Sequence, residues 1–174
     1  MLVENRRVKK LKESFVNSLQ FFSKLGFPLL WCFIIAYSVV LIFYIFFNTN
    51  VENVSEVGYN RRYVFIVILA APILEEILFR GIILKYTKKI LEIFKFYWAE
   101  TGALMFSSFI FGMSHTLGSL ETMKDIGVIA ATFFIGIILG KHYLKEGLVS
   151  VMWLHGLYNL LVFLVLYSFF WVSI

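Results

Sequence analysis

A chain of 174 residues with 60% apolar, 19% aromatic and only 16% charged side chains is too greasy for an ordinary soluble domain and for a disordered or nucleic-acid-binding tail. Its net charge of +5 therefore reads first as membrane topology, and no nucleic-acid partner is expected. A single cysteine, Cys32, excludes a disulfide framework and a cysteine zinc cage.

Taken in chain order, residues 1–25 form the first element. Val8, Leu11, Phe15, Leu19, Phe22 and Leu25 recur at spacings of three and four, with Lys9, Lys10, Lys12 and Glu13 between them. This pattern predicts an amphipathic helix lying on an anionic leaflet, a cytoplasmic topology anchor. Residues 26–174 are read as one transmembrane domain. A spanning helix needs about 20 mostly apolar residues. Five runs qualify as spans: Gly26 to Phe47, Tyr63 to about Tyr86, Trp98 to His115, Ile126 to Tyr143, and Leu148 to the C-terminus. The fold class expected is thus all-α, a polytopic bundle of about five transmembrane helices plus the interfacial segment. Leu91, Phe94, Tyr97 and Trp98 suit a second interfacial stretch.

The cations test this layout. Arg6, Arg7, Lys9, Lys10, Lys12 and Lys24 precede the first span, Lys85, Lys88, Lys89 and Lys95 follow the second, and Lys141 and Lys145 follow the fourth. These twelve share one side, against Arg61, Arg62 and Lys124 on the other, so the N-terminus is expected in the cytoplasm.

Three ionisable residues stand inside the second span, where each costs about 2.5–3.5 kcal/mol on insertion scales. Glu76 and Arg80 are i,i+4 with the acid first, the favourable order for an ion pair. Glu75 is rotated about 100° from that face and is left to act on something else. Glu76 and Arg80 are equally well explained as a structural pair. A second buried acid without its own cation asks for a functional reason.

Two histidines complete the set. His115 ends the third run and His155 lies within the last, with Asn159 one turn further on the same face. His142, beside Lys141 at a span end, reads as a solvated interfacial side chain. Two chemistries fit. In one, Glu75 with His115 activates water for attack on a peptide carbonyl, while His155 and Asn159 stabilise the oxyanion. In the other, Glu75, His115 and His155 hold a divalent metal such as zinc, whereas the first needs no cofactor. No H-E-x-x-H and no G-x-S-x-G is present. Gly136 and Gly140 form a G-x-x-x-G, which marks a face where a neighbouring helix approaches closely.

Glu75-Glu76-Ile77-Leu78-Phe79-Arg80-Gly81 matches an E-E-x-x-F-R-G motif, Phe111 to His115 an F-x-x-x-H, and His155 to Asn159 an H-x-x-x-N. In order and spacing, over roughly Tyr63 to Leu160, they resemble the CAAX protease and bacteriocin-processing enzyme family of intramembrane endopeptidases, also called the ABI family. The resemblance implies a helical bundle with its site inside the membrane. It implies Glu75 as base, His115 as its partner, His155 and Asn159 as oxyanion hole, and Glu76 with Arg80 as support. It leaves metal dependence open. The short chain and its Lys/Phe/Ile/Asn-rich composition point to a bacterial membrane and to a hydrophobic or membrane-associated peptide, such as a bacteriocin or signalling-peptide precursor, as substrate. The rival functions are a non-proteolytic regulator or immunity partner of the same fold, and a small transporter using the acids and histidines as a proton relay.

Overall fold

The computed structural model describes residues 66–116 and 123–172, together with Glu13, Val16, Asn17, Gln20, Phe21, residues 23–32 and Ile34 toward the N-terminus. The described residues are helical apart from short turns. Most of the amphipathic 1–25 segment and most of the Gly26–Phe47 run lie outside them.

From Ile66 to Ile93 the chain follows one helical path that changes its winding. A π-helical turn, Ile66–Ala70, leads into α1, Ala71–Glu76; a second π-helical segment, Ile77–Leu84, leads into α2, Lys85–Ile93. Pro72 sits near the start of α1 and has no N–H to give the carbonyl four residues earlier, that of Ile68. That carbonyl oxygen instead faces the last helix: a Cβ added to Gly156 would lie 3.0 Å from it. Glycine at 156 thus lets two backbones approach closely next to His155.

A turn follows α2, with Lys95 in the left-handed region (φ 56°) and Phe94, Tyr97 and Trp98 exposed. Tyr97 and Trp98 pack edge to face. This exposed aromatic corner occupies the predicted second interfacial stretch. Then come α3, Ala99–Ser114, α4, Met123–Glu146, and α5, Leu148–Val172. α4 and α5 are joined at Gly147, whose φ of 86° is a left-handed helix end that a side chain would strain. Its N–H closes onto the Tyr143 carbonyl at 2.9 Å.

α3 and α4 make the tightest contact, and glycine permits it. A Cβ on Gly112 would stand 2.9 Å from the Ile129 carbonyl, and one on Gly136 would stand 3.1 Å from Ser108 Cα. The core joins Phe79, Phe111, Ile135, Leu139, Val151 and Leu154 to Leu25 and Cys32 of the N-terminal helical residues. Outside it, Leu74, Leu78, Ile82, Phe106, Phe109, Phe134 and Trp153 are exposed. An apolar exterior over an apolar core is the pattern of helices that face lipid on their outer side.

The later predicted runs correspond to α3, α4 and α5, and the second to the Ile66–Ile93 path. Within α4, Ile126–Glu146 is long and apolar enough to cross a membrane, while Leu148–Leu164 of α5 is a shorter apolar stretch. One reading needs correction. His142 is not solvated: it is buried, and its Nε2 lies 2.8 Å from Ser150 Oγ across the α4–α5 corner. The backward fold of α5 onto α4 covers a side chain that its neighbour Lys141 made look solvent-facing.

Candidate active site

The site is built on Glu76, the last residue of α1, which is 0% exposed. Its Oε2 lies 3.1 Å from Arg80 Nε, the predicted i,i+4 ion pair. Both atoms are buried without an aligned hydrogen bond among the described residues, so the contact is a charge pair and not a forked hydrogen bond. Two further contacts compensate the buried guanidinium. Nη2 donates to the Gly136 carbonyl of α4 at 3.2 Å, and the guanidinium carbon lies 4.5 Å from the centre of the Phe111 ring. They offset part of the cost of taking the charge out of water, while the dry surroundings strengthen its attraction to Glu76.

The second oxygen of Glu76 reaches across to α5: Oε1 accepts from His155 Nδ1 at 2.8 Å. The Gly156–Ile68 approach brings these helices near enough for that bond. On its other side, His155 Nε2 stands 3.7 Å from Glu75 Oε2. His155 therefore bridges the two acids of the first motif, one on each ring nitrogen. Their settings differ sharply: the Glu75 side chain is 31% exposed, against 0% for Glu76. Adjacent positions on one helix have become a sealed acid and an accessible one.

Phe111 organises the rest. Its ring packs edge to face on Phe79 (5.1 Å between centroids), His115 (4.6 Å) and His155 (5.8 Å), and the Arg80 guanidinium lies over it. His115, at the end of α3, is exposed, and its Nδ1 lies 2.8 Å from the Phe111 carbonyl. A carbonyl can only accept, so Nδ1 carries the proton and Nε2 of the neutral ring is an acceptor. Ser107 Oγ donates to the Phe79 carbonyl at 2.7 Å and ties α3 to the π-helical segment bearing Arg80.

Of the residues singled out from sequence, Glu75, Glu76, Arg80 and His155 are thus in direct contact, and His115 joins them through Phe111. Glu75 and His115 do not touch each other among the described residues. Asn159 is half-buried on α5, one turn beyond His155. No three His, Cys, Asp or Glu side chains among the described residues converge as metal ligands would. Among the described residues Glu75, His115 and His155 are not gathered as a shared metal site. Sequence reasoning missed the Gly136 carbonyl as a partner of Arg80, and the role of Phe111, whose only signal was its place four residues before His115.

The family described as type II CAAX prenyl endopeptidase Rce1-like matches residues 60–161, the stretch that carries all three motifs. No curated protein and no solved structure matches the chain.

Proposed function

The chain belongs to this membrane-embedded, CAAX-type protease family, and from that premise we propose that it is an intramembrane endopeptidase cutting a hydrophobic or membrane-associated peptide. The observation that carries the reading is the asymmetry between the two glutamates. Glu76 is buried and engaged by Arg80 and His155, whereas Glu75 remains open to water beside them. An accessible carboxylate held next to a neutralised one is suited to act as a general base.

In this reading Glu75 takes a proton from a water that also bonds His115 Nε2, and the water oxygen attacks the scissile carbonyl carbon. The carbonyl oxygen becomes an oxyanion, received by His155 and the Asn159 amide. Because Nδ1–H of His155 is given to Glu76, Nε2 can donate to the oxyanion only when the ring carries both protons. Glu76, on its Nδ1 side, supplies compensating negative charge, and Glu75 adds to it until it takes the proton of the water. The proton held by Glu75 then passes to the leaving amine, and collapse of the intermediate breaks the C–N bond. Glu76 and Arg80 act as positioning residues.

The bundle is proposed to cross the membrane five times, with its N-terminus in the cytoplasm. The contact of Lys24 with Glu146, and the closeness of Glu100 to Lys141 and Lys145, support placing three of the basic segments at one end. The substrate is proposed to be a small apolar peptide, as in bacteriocin or signalling-peptide maturation or self-immunity. Prenylation, which the family's description names, is one arm of the test.

Purified protein in detergent, given quenched hydrophobic peptides with and without a prenylated cysteine, tests the proposal. We expect cleavage, and a loss of about 100-fold or more in Glu75→Gln and in His115→Ala, the scale of general acid–base catalysis. Wild-type turnover in Glu75→Gln would overturn the assignment of the base. Absence of cleavage, with a cellular phenotype that survives Glu75→Ala, would favour the non-proteolytic regulator.

A further inference from the structure

A cleft of about 490 Å³, lined by none of the proposed catalytic residues, opens between the N-terminal helical residues and the end of α4. Its floor and walls include Phe27, Trp31 and Ile138, and its rim carries Lys24, Lys141 and Lys145, with Glu146 the one carboxylate. Lys24 approaches Glu146 at 2.8 Å and Lys145 approaches it at 3.8 Å. Lys141 has no carboxylate partner among the described residues. Glu100, in an adjoining cleft that shares Lys141 and Lys145, is already bonded by Lys88. The remaining titratable group facing the cleft, His142, is turned to Ser150. Three cations thus face one anion over an apolar wall.

Position narrows what such a cleft can hold. Lys141, Lys145 and Glu146 end the segment that is long and apolar enough to cross a membrane, so the rim lies at headgroup depth. Phe27 and Trp31 are both exposed and pack edge to face, 6.1 Å apart, next to the lysines. Aromatic faces at the interface with lysines at the rim match a molecule with one anionic end and one hydrocarbon end.

We propose that this cleft is a binding site for an anionic phospholipid, its phosphate held by Lys141 and Lys145 and its acyl chains lying along Phe27 and Trp31. A built cleft predicts discrete occupancy, beyond the diffuse attraction that any basic surface has for an anionic leaflet. The site is independent of the peptidase reading, since none of its residues touches Glu75, Glu76, His115 or His155.

The test uses the full chain in neutral detergent, with bound lipid counted by native mass spectrometry during titration with dioleoyl phosphatidylglycerol or dioleoyl phosphatidylcholine. Saturable binding of the glycerol lipid is expected, weakened about thirtyfold in the Lys141→Gln/Lys145→Gln double variant. Lys141→Arg/Lys145→Arg should keep it, as should Lys85→Gln/Lys89→Gln, which removes two exposed lysines of α2. Retention in the arginine variant separates loss of charge from loss of fold. Equal binding of phosphatidylcholine, or equal weakening by the α2 variant, would overturn the proposal in favour of non-specific adhesion. Full displacement by inorganic phosphate at the same concentration would overturn it in favour of a free-anion site.

Discussion

His142 and Ser150 close a buried hydrogen bond at the α4–α5 corner, and its energetics differ from those of the proposed catalytic groups. Removing the ring leaves the Ser150 hydroxyl unsatisfied, at a cost of about 1–3 kcal/mol. His142→Ala is therefore expected to unfold at a lower temperature while its activity per folded molecule stays at the wild-type level. Thermal unfolding in detergent beside a cleavage assay separates the two, and loss of specific activity would mean that the corner reaches the site. Arg80 poses the opposite case. Deleting it strands Glu76 in a fully buried position, and breaking a buried pair in this way costs about 3–5 kcal/mol. Arg80→Ala should lower the yield of folded protein on size exclusion, and adding Glu76→Gln should restore part of it. Wild-type recovery of Arg80→Ala alone would remove the ion pair from the account.

At the scale of elements, the packing of α3 on α4 decides whether Arg80 has its acceptor. Gly112 and Gly136 set that distance, because the atoms a Cβ would meet include the Ile129 carbonyl, Phe133 N and Ser108 Cα of the backbone and the Cβ atoms of Phe133 and Ser108, which cannot swing aside. Gly112→Ala should destabilise by about 1–3 kcal/mol through overpacking. Gly26→Ala, with no atom within 4 Å of the added Cβ, should be neutral or slightly stabilising, because alanine favours helix. Equal melting temperatures for these two variants would show that the helices separate freely. The change between α- and π-winding around Glu76 belongs to the same scale. Such changes are frequent at functional sites, and here the π-helical segment buries Phe79, Arg80 and Leu84 on one side.

At the scale of the whole molecule, two ion pairs tie separate segments together. Lys24 meets Glu146, and Lys88 meets Glu100, whose hydrogen bond holds the Lys88 ammonium above the ordinary lysine range. The first joins the N-terminal segment to the α4–α5 corner and the second closes the α2–α3 turn; the positive-inside rule, applied to the proposed five-span layout, predicts that these segments face the cytoplasm. A cysteine at Lys145 should therefore react with a membrane-impermeant maleimide in inside-out vesicles only, and one at Lys124 in right-side-out vesicles only. The buried native thiol, Cys32, contributes little background. The reverse pattern would invert the topology.

The residues alone determined the all-helical class, the family, the Glu76–Arg80 pair and the separation of Glu75 from it. Each of these rests on local spacing: an apolar run long enough for a helix, an i,i+4 pair, three motifs in order. Tertiary structure decided what spacing cannot encode. Glu76 is bonded to a histidine seventy-nine positions away, Phe111 is the ring on which both histidines and Arg80 meet, and His142 is buried because α5 folds back over it. Such contacts depend on which helices touch and at what depth, and that is set by glycines that admit a neighbour and by the chain's return path. So a chain whose scarce charges already marked its site left it to packing to decide which of two adjacent glutamates is sealed in the core and which stays open to water.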